Sequence, residues 1–564
     1  MFAWAELAGF LILLTALTPV LGGYLARVFE GPPAGITRFG RPFELRLYRI
    51  CRIDPANEMS WSEYLAAVLI FSAVSAAALF ALLCTQAWLP LNPQHFPNLS
   101  PLLAFNVAVS FMTTTDWQAY SGESALSYLA QMAGLGWQNF TAAAIGLAVA
   151  LATIRGFTRT LTGTVGNFWV DLTRSIFYVL VPLSVAGALF FVAQGIPQNF
   201  APYQTVTTVE GAPQTIIGGP IASQDIIKQL GVNGGGFTAA NAAAPNENPT
   251  PLTDFAQLFA MFLLGAGLTN AFGRLVGDVR QGWTLYTAMT ILFVAGFIGV
   301  WAPEHAGNPF VHHLGVGGPN LEGKELRFGD TGSAISVTVA TDTSSGASNV
   351  AYDSLMPLSV LVAMLNMQIG EVIFGGAGSG LYGMLILVLL TVFIAGLMVG
   401  RTPEYLGKKI EQREITLVVI AALVPALVML VPTALALLPG VSSTGNGGPR
   451  GFSEILYAFT SVAANNGSAL SGLTIATDAY NWLTAAVMLA GRFATLAVAL
   501  ALAGTLARKT RNTDITAGTF RTTSPMFGLL LLSTAIVVTA LTFIPADALG
   551  PVAEHLLLHA GHSF

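Results

Sequence analysis

The stretch V-N-G-G-G-F, Val232 to Phe237, follows a segment, Ile221 to Leu230, that is half apolar and then stops. Three consecutive glycines reach positive φ without steric cost, so this backbone can aim its carbonyls in directions closed to other residues. The segment before it is too short to cross a bilayer, which takes roughly 20 apolar residues. It reads as a re-entrant half-helix ending in a strand that presents backbone oxygens. Three further stretches share this plan. They are Leu102 to Met112 followed by T-T-T-D-W-Q (Thr113 to Gln118), Gly329 to Ala340 followed by T-S-S-G-A-S-N (Thr343 to Asn349), and Phe452 to Ala463 followed by A-N-N-G-S-A (Ala464 to Ala469). With Asp116, Gly234, Gly346 and Gly467 taken as equivalent, the spacing is about 110 to 120 residues, far longer than a solenoid repeat.

The sequence around the four clusters is that of a membrane protein. It is 54% hydrophobic and 9% charged, against roughly 25% charged residues in a soluble domain. Ten stretches are long and apolar enough to span: Ala3 to Tyr24, Tyr64 to Trp88, Leu126 to Ile154, Ile176 to Ala193, Leu252 to Phe272, Trp283 to Ala302, Leu355 to Gly400, Ile415 to Leu438, Trp482 to Ala507 and Met526 to Leu549. The first lacks a basic leading region and carries Glu6, so it reads as a retained span. The expected fold is an all-α polytopic membrane protein of ten transmembrane helices. Four pseudo-repeated units of helix, re-entrant half-helix and helix form a pore, with one extra helix at each end. The expected divisions are a first helix and loop (1–62), pore units at 63–155, 156–273, 274–410 and 411–508, and a last helix with a tail (509–564). The seventh stretch is too long for one crossing and is broken by G-E-V-I-F-G-G-A-G-S-G-L-Y-G, Gly370 to Gly383. Such a glycine-rich break belongs inside protein or against water, not against lipid.

Most of the 24 Lys and Arg fall in alternate loops, after the first, third, fifth, seventh and ninth spans. The positive-inside rule makes those loops cytoplasmic and puts both termini outside. Cys51 lies in such a loop and Cys84 within a span, an improbable disulfide pair. A net charge of −5 and no basic tract exclude a nucleic-acid partner.

An ion crossing the membrane exchanges its water for oxygens, and rings of backbone carbonyls supply them without fixed charge. Glycine, serine and asparagine let four backbones approach one axis, and each half-helix aims the negative end of its dipole at it. Four such clusters on one side of the membrane point to a cation pathway. Arg492, mid-span in A-G-R-F-A, is read either as an electrostatic barrier below the filter or as a partner of Glu371 or a backbone carbonyl. Glu371 is either an ion-attracting gate or a helix-end partner. Trp117 and Tyr120 read as packing behind the first strand. His555, His559 and His562, like His312 and His313, lack the company of a metal site. No phosphate loop, no D-K-T-G motif and no cytoplasmic loop large enough for a nucleotide domain are present, so the chain alone has no means of hydrolysing ATP.

The strings F-M-T-T-T-D-W-Q-A-Y-S-G-E, G-V-N-G-G-G-F, N-L-E-G-K-E-L-R-F-G, Gly370 to Met384 running into G-R-T-P-E-Y-L-G-K-K (Gly400 to Lys409), and A-N-N-G-S-A-L-S-G-L resemble the potassium-binding subunit of the bacterial Kdp pump across essentially the whole chain. That resemblance implies a fold shared with potassium channels and Trk/Ktr transporters. It implies location in the bacterial inner membrane and partners: a P-type ATPase catalytic subunit (KdpB), a small single-span subunit (KdpC) and a small membrane peptide (KdpF). ATP and Mg²⁺ belong to the ATPase subunit, and the only ion expected on this chain is K⁺. Carried over by position, the filter comprises Thr113, Thr114, Thr115, Asp116 and Gln118; Asn233, Gly234, Gly235 and Gly236; Ser345 and Gly346; and Asn465, Asn466, Gly467 and Ser468. A gating loop holds Gly370, Glu371, Gly375, Gly376, Gly378 and Gly380. Arg401, Lys408 and Lys409 are candidate docking residues for the ATPase, with a positive-inside anchor as the plainer reading. Thr114 and Asp116 depart from the family pattern, which has asparagines in the first strand. Asp116 is read either as a carboxylate facing the axis, which would raise cation affinity at the expense of selectivity, or, favoured because the other repeats place glycine there, as a brace of the strand through backbone N–H groups or Gln118. An autonomous Trk/Ktr-type channel or symporter would share the pore units. A membrane enzyme using Asp116, Glu123 and Glu371 would leave the fourfold repeat unexplained.

Overall fold

The computed structural model describes residues 2–31, 35–400, 402–441, 444–512 and 521–562. Among the described residues, ten helices are long and apolar enough to cross a membrane, and the chain is a multi-pass membrane protein. They fall on the ten expected stretches, with the seventh divided in two. Phe2–Glu30 comes first and Pro525–Asp547 last. Between them one unit of outer helix, half-helix, loop and inner helix occurs four times. The outer helices are Trp61–Thr85, Phe168–Ala193, Val279–Ala306 and Gln412–Ala436. The half-helices are Pro101–Met112, Ile221–Gly231, Gly329–Asp342 and Gly448–Ala463. The inner helices are Gly136–Thr158, Pro251–Leu275, the pair Pro357–Gln368 and Ser379–Val399, and Asp478–Ala507.

Local sequence explains where these elements begin. Proline opens many of them, since its missing N–H costs nothing in a first helical turn. Ser100 and Thr250 cap the helices opened by Pro101 and Pro251, and Ser524 caps the one opened by Pro525. The first half-helix has 12 residues, roughly 18 Å at 1.5 Å per residue, which reaches only part way through a 30 Å core.

Inner and outer helices differ in what surrounds them. In their most apolar windows the first two inner helices are 94% and 78% buried, whereas the flanking outer helices are 33% and 28% buried. Small residues make the close packing possible. A Cβ on Gly156 would lie 2.6 Å from Ala503 Cα, so inner helices 1 and 4 touch backbone to backbone.

At the arginine-rich face all four inner helices converge. The Phe157 ring meets Phe272 at 6.2 Å and Tyr405 at 5.5 Å between centroids. Tyr405 belongs to a hairpin, Glu404–Tyr405 with Lys408–Lys409, that follows inner helix 3. Lys408 is not the exposed docking residue the sequence suggested. It is fully buried, and its Nζ donates to the carbonyls of Gly156 at 2.7 Å and Leu506 at 2.8 Å, and to that of Arg159. These carbonyls end inner helices 1 and 4, where the intrahelical ladder runs out, and Leu506 O also accepts from Lys509 N at 3.1 Å. Lys409 remains exposed, its carbonyl accepting from Lys509 Nζ at 2.7 Å. Arg401 lies outside the described residues.

Burial and the charges of Arg511 and Lys509 push the Lys408 ammonium from 10.5 down to about 8. Between those values the unfolded chain binds the proton that the folded chain has released, so this residue makes stability rise with pH across that window. Lys408→Met should destabilise the protein by about 2 kcal/mol or more, because buried carbonyls lose their donor. It should also flatten the rise in melting temperature between the two pH values, as thermal unfolding in detergent at a series of pH values would measure.

Candidate ion filter and its gate

Each half-helix runs directly into a strand, and the four strands share a backbone pattern, to which strand 2 adds a further left-handed residue, Gly235. Left-handed residues occur at alternate positions: Thr114 and Asp116, Val232 and Gly234, Ser344 and Gly346, Asn465 and Gly467, with φ between 48° and 92°. An ordinary strand alternates its carbonyls between two sides. A left-handed residue at every second position cancels that alternation and turns successive carbonyls the same way. Each strand is also tied to its half-helix by the same bond. The amides of Thr115, Asn233, Ser345 and Asn466 donate to the carbonyls of Ser110, Lys228, Ala340 and Ser461 at 2.8 to 3.0 Å. The register inferred from sequence, Asp116 with Gly234, Gly346 and Gly467, is the one these bonds define.

The strands close into a ring. A Cβ on Gly234 would stand 1.6 Å from Ser345 O, one on Gly346 2.1 Å from Asn466 O, and one on Gly467 2.0 Å from Thr115 O. Only glycine permits these contacts. Between strands 1 and 2 the approach is looser, with the Cβ position of Gly235 3.0 Å from Asp116 Cβ. Side chains expected among the filter residues tie the strands to one another and to the half-helices. Gln118 Oε1 accepts from Gly236 N at 3.1 Å while its Nε2 donates to Gly236 O at 3.0 Å. Asn465 Nδ2 donates to Thr115 Oγ1 at 3.0 Å, and Asn466 Nδ2 to Ala340 O at 2.8 Å. Ser468 is held by Tyr457 OH at 2.8 Å. Asp116 does not make its expected bonds. Both carboxylate oxygens are buried without a hydrogen-bond partner, since Gln118 is occupied by strand 2.

Outside the ring a cavity of about 500 Å³ is lined by Asp116, Gln118, Gly235, Gly346, Gly467 and Ser468, among others. Behind strand 2, Lys228 pairs with Glu247 at 2.8 Å and Asp225 at 3.1 Å, all three fully buried. Glu247 accepts from Thr238 N and Oγ1 at 2.6 Å. The sequence reading missed this cluster, although a lysine and an aspartate in an otherwise half-apolar segment were its signal. It also missed Val232 and Ser344, which aligning the repeats on their glycines reveals.

Below the ring, residues 369–378 leave the helix and fill the space between the inner helices. Phe374 O and Ala377 O lie where a Cβ on Gly265 and on Gly146 would come within 2.3 Å. Gly376 N donates to Thr343 O at 3.0 Å, joining this loop to strand 3. Gly370 and Gly378 have positive φ, and Gly375, Gly376 and Gly380 would clash with Glu371 O, Ser379 Oγ and Gly375 N if they carried a Cβ. Glu371 accepts from Ser379 Oγ at 2.5 Å. Arg492 Nη2 donates to Ala142 O at 3.2 Å, the backbone-carbonyl alternative of its two readings. Arg492 and Glu371 line one small cavity of about 50 Å³ with Met367, Asn465 and Val428.

A family described as "Potassium-transporting ATPase A subunit" matches residues 8–556 of this chain. The chain belongs to this family. It is 50% identical over 558 residues to the potassium-transporting ATPase potassium-binding subunit of Solibacter usitatus, covering 99% of this chain and 98% of that one. It is 51% identical over 564 residues to the protein of the same name from Methylorubrum extorquens, covering 100% and 98%. Its fold is similar to that of the potassium transporter TrkH from Vibrio parahaemolyticus, at a TM-score of 0.51 and 18% identity over 87% of this chain and 96% of that one.

Gly234→Ala should therefore disrupt the ring, because the added methyl meets a neighbouring carbonyl at 1.6 Å and φ is 83°. Apparent affinity for the conducted ion should fall roughly 100-fold, about 2.7 kcal/mol, measured by ion-stimulated turnover of the assembled complex. A cysteine replacing Ala377, which is 4% exposed, should resist small hydrophilic thiol reagents at rest and react during turnover. Equal reaction in both conditions would remove the gate from residues 369–378.

Proposed function

We propose that this chain is the potassium-selecting and translocating subunit of an ATP-driven uptake complex in the bacterial inner membrane. Potassium enters from the filter side, loses its water to the carbonyls of four strands and is passed to a P-type ATPase subunit. The observation that carries this reading is the ring of four equivalent strands, each with left-handed residues two positions apart and three of the four with glycine where the next strand's carbonyl abuts. Carbonyl oxygens suit a weakly hydrated monovalent cation, and the names of the relatives agree. The dipoles of the four half-helices favour the cation at the inner end of the filter. Below it the loop 369–378, with the converged inner helices and Lys408, opposes free flow to the arginine-rich side. That blockage favours a pump subunit over an autonomous Trk-type channel.

The residues that do the work are those of strands 1 to 4, from Thr113, Asn233, Ser345 and Asn465 onward. Glu371 and Arg492 set the potential below them. Partners would be the catalytic subunit KdpB, the small subunit KdpC and the peptide KdpF, with ATP and Mg²⁺ bound by the catalytic subunit alone. The arginine-rich loops would face the cytoplasm and both termini the outside. Lys409 and the undescribed Arg401 stay as docking candidates, and Lys408 does not.

Two measurements test the proposal together. The purified chain alone should show no ATPase activity, whereas the co-expressed complex in liposomes should show ATP hydrolysis stimulated by K⁺ and not by Na⁺. Potassium flux through the isolated chain at channel rates would overturn the pump reading in favour of the channel.

A further inference from the structure

Between the first and second spans lies a helix that the pore does not use, Ile36–Cys51. At 3.6 residues per turn its residues fall on three sides. Thr37, Glu44 and Tyr48 are buried. Glu44, the only acid of the helix, accepts from Tyr48 OH and Tyr178 OH at 2.8 Å and from Arg174 Nε at 3.1 Å. A Cβ on Gly40 would lie 2.5 Å from the Tyr178 ring, and Phe43 meets Phe177 edge-on at 5.1 Å between centroids. These contacts hold the helix against outer helix 2, Phe168–Ala193, which is itself little covered by the rest of the protein. The second side carries Phe39, Phe43, Leu47 and Ile50 at three- and four-residue spacing. Phe39 is 86%, Phe43 56% and Ile50 72% exposed. The third side carries Arg38, Arg41, Arg46 and Arg49, with Leu45 among them, and Arg52 follows at the helix end. All five arginines are exposed, and among the described residues none of them forms an ion pair. Scattered in the sequence, they gather only when the helix forms.

An apolar side next to a basic one is the pattern of a helix that lies in the plane of a membrane interface, with its apolar residues toward the acyl chains and its long basic side chains reaching the headgroups. Through Phe43 and Phe177 the apolar side adjoins the surface that outer helix 2 turns to lipid, so the bilayer reaches it directly. Zwitterionic headgroups would cover the apolar side and leave the arginines without counter-charge, because the one acid on the helix is turned inward. Anionic headgroups supply that charge, and the guanidinium fork matches phosphate oxygens. We propose that Ile36–Cys51 binds anionic phospholipid on the arginine-rich side of the membrane, with Phe39, Phe43 and Ile50 among the acyl chains and Arg38, Arg41, Arg46 and Arg49 on headgroup phosphates. Glu44, bonded to Arg174 and Tyr178, ties this lipid-bound helix to the second pore unit. The inference is independent of which ion the filter carries.

The test uses the whole complex in phosphatidylcholine liposomes that contain a trace of photoactivatable phosphatidylglycerol or of phosphatidylcholine bearing the same diazirine acyl chain. After irradiation the labelled peptides are identified by mass spectrometry. Phosphatidylglycerol should label Ile36–Cys51 about tenfold more than phosphatidylcholine does, whereas other lipid-facing spans should label alike with both. Arg38→Gln, Arg41→Gln, Arg46→Gln and Arg49→Gln together replace exposed residues with a good helix former, and should bring the ratio close to one while the other spans label as before. A ratio unchanged in that variant would overturn the role given to the arginines. Equal labelling of the unaltered helix by the two probes would overturn the inference without needing any variant to fold. Labelling by neither probe, with the other spans labelled, would show that protein covers this face and would overturn it too.

Discussion

A cation that gives up its hydration shell inside a membrane must find several oxygens at once, and in this protein four backbones approach one another more closely than side chains allow, as the proposed filter requires. Everything around the ring follows from that approach. Carbonyls of strands 3, 4 and 1 sit against glycines of strands 2, 3 and 4, and a single methyl at any of these contacts would fall within 2.1 Å of an oxygen. Parallel dipoles crowded in this way repel, so they need a rigid frame. The half-helices supply part of it through a repeated amide-to-carbonyl bond, Gln118 and Asn465 tie neighbouring strands, and Asn466 ties strand 4 to the third half-helix. The buried Lys228, Asp225 and Glu247 stiffen strand 2 from behind. A buried ion triad is a costly way to gain stability, and holding one geometry is its better-attested use.

The lower half of the molecule solves the opposite problem. A filter that admits cations leaks unless its inner end is closed, and the space below the ring is filled by the backbone of residues 369–378, which the proposed function makes its closure. Residues 369–378 press carbonyls against Gly146 and Gly265, and the loop is bonded to strand 3 by Gly376. The same residues thus touch both the filter and two inner helices. Further down, the Lys408 ammonium occupies the carbonyl ends of inner helices 1 and 4. A positive charge satisfying those oxygens leaves them unavailable to a passing ion.

Several features are legible in the sequence because they depend on local chemistry. Short apolar segments followed by Gly, Ser and Asn clusters announced the half-helices to within a few residues, as Ile221–Gly231 and Pro101–Met112 demonstrate. The glycine run from Gly375 identified the break in inner helix 3, since no lipid-facing helix tolerates it. Burial was harder to read. Lys408 sits in a basic string that resembles an exposed anchor, and its sequence neighbours carry no sign that two helix ends converge on it. The side chains of Gln118 and Asn466 bond to Gly236 and Ala340, ties that composition does not reveal because a side-chain amide serves many purposes.

What the sequence by itself determined was the number of spans, the fourfold repeat, the register of the four clusters and the interrupted helix. Each of these is encoded by hydropathy and by glycine's access to positive φ, properties of short stretches of chain. Tertiary structure alone decided which atoms face which. It gave Gln118 to Gly236 and not to Asp116, gave Arg492 the carbonyl of Ala142, and buried Lys408. The physical reason is that partners separated by more than a hundred residues are chosen by how whole helices pack. A buried polar group bonds to whatever that packing brings within about 3 Å.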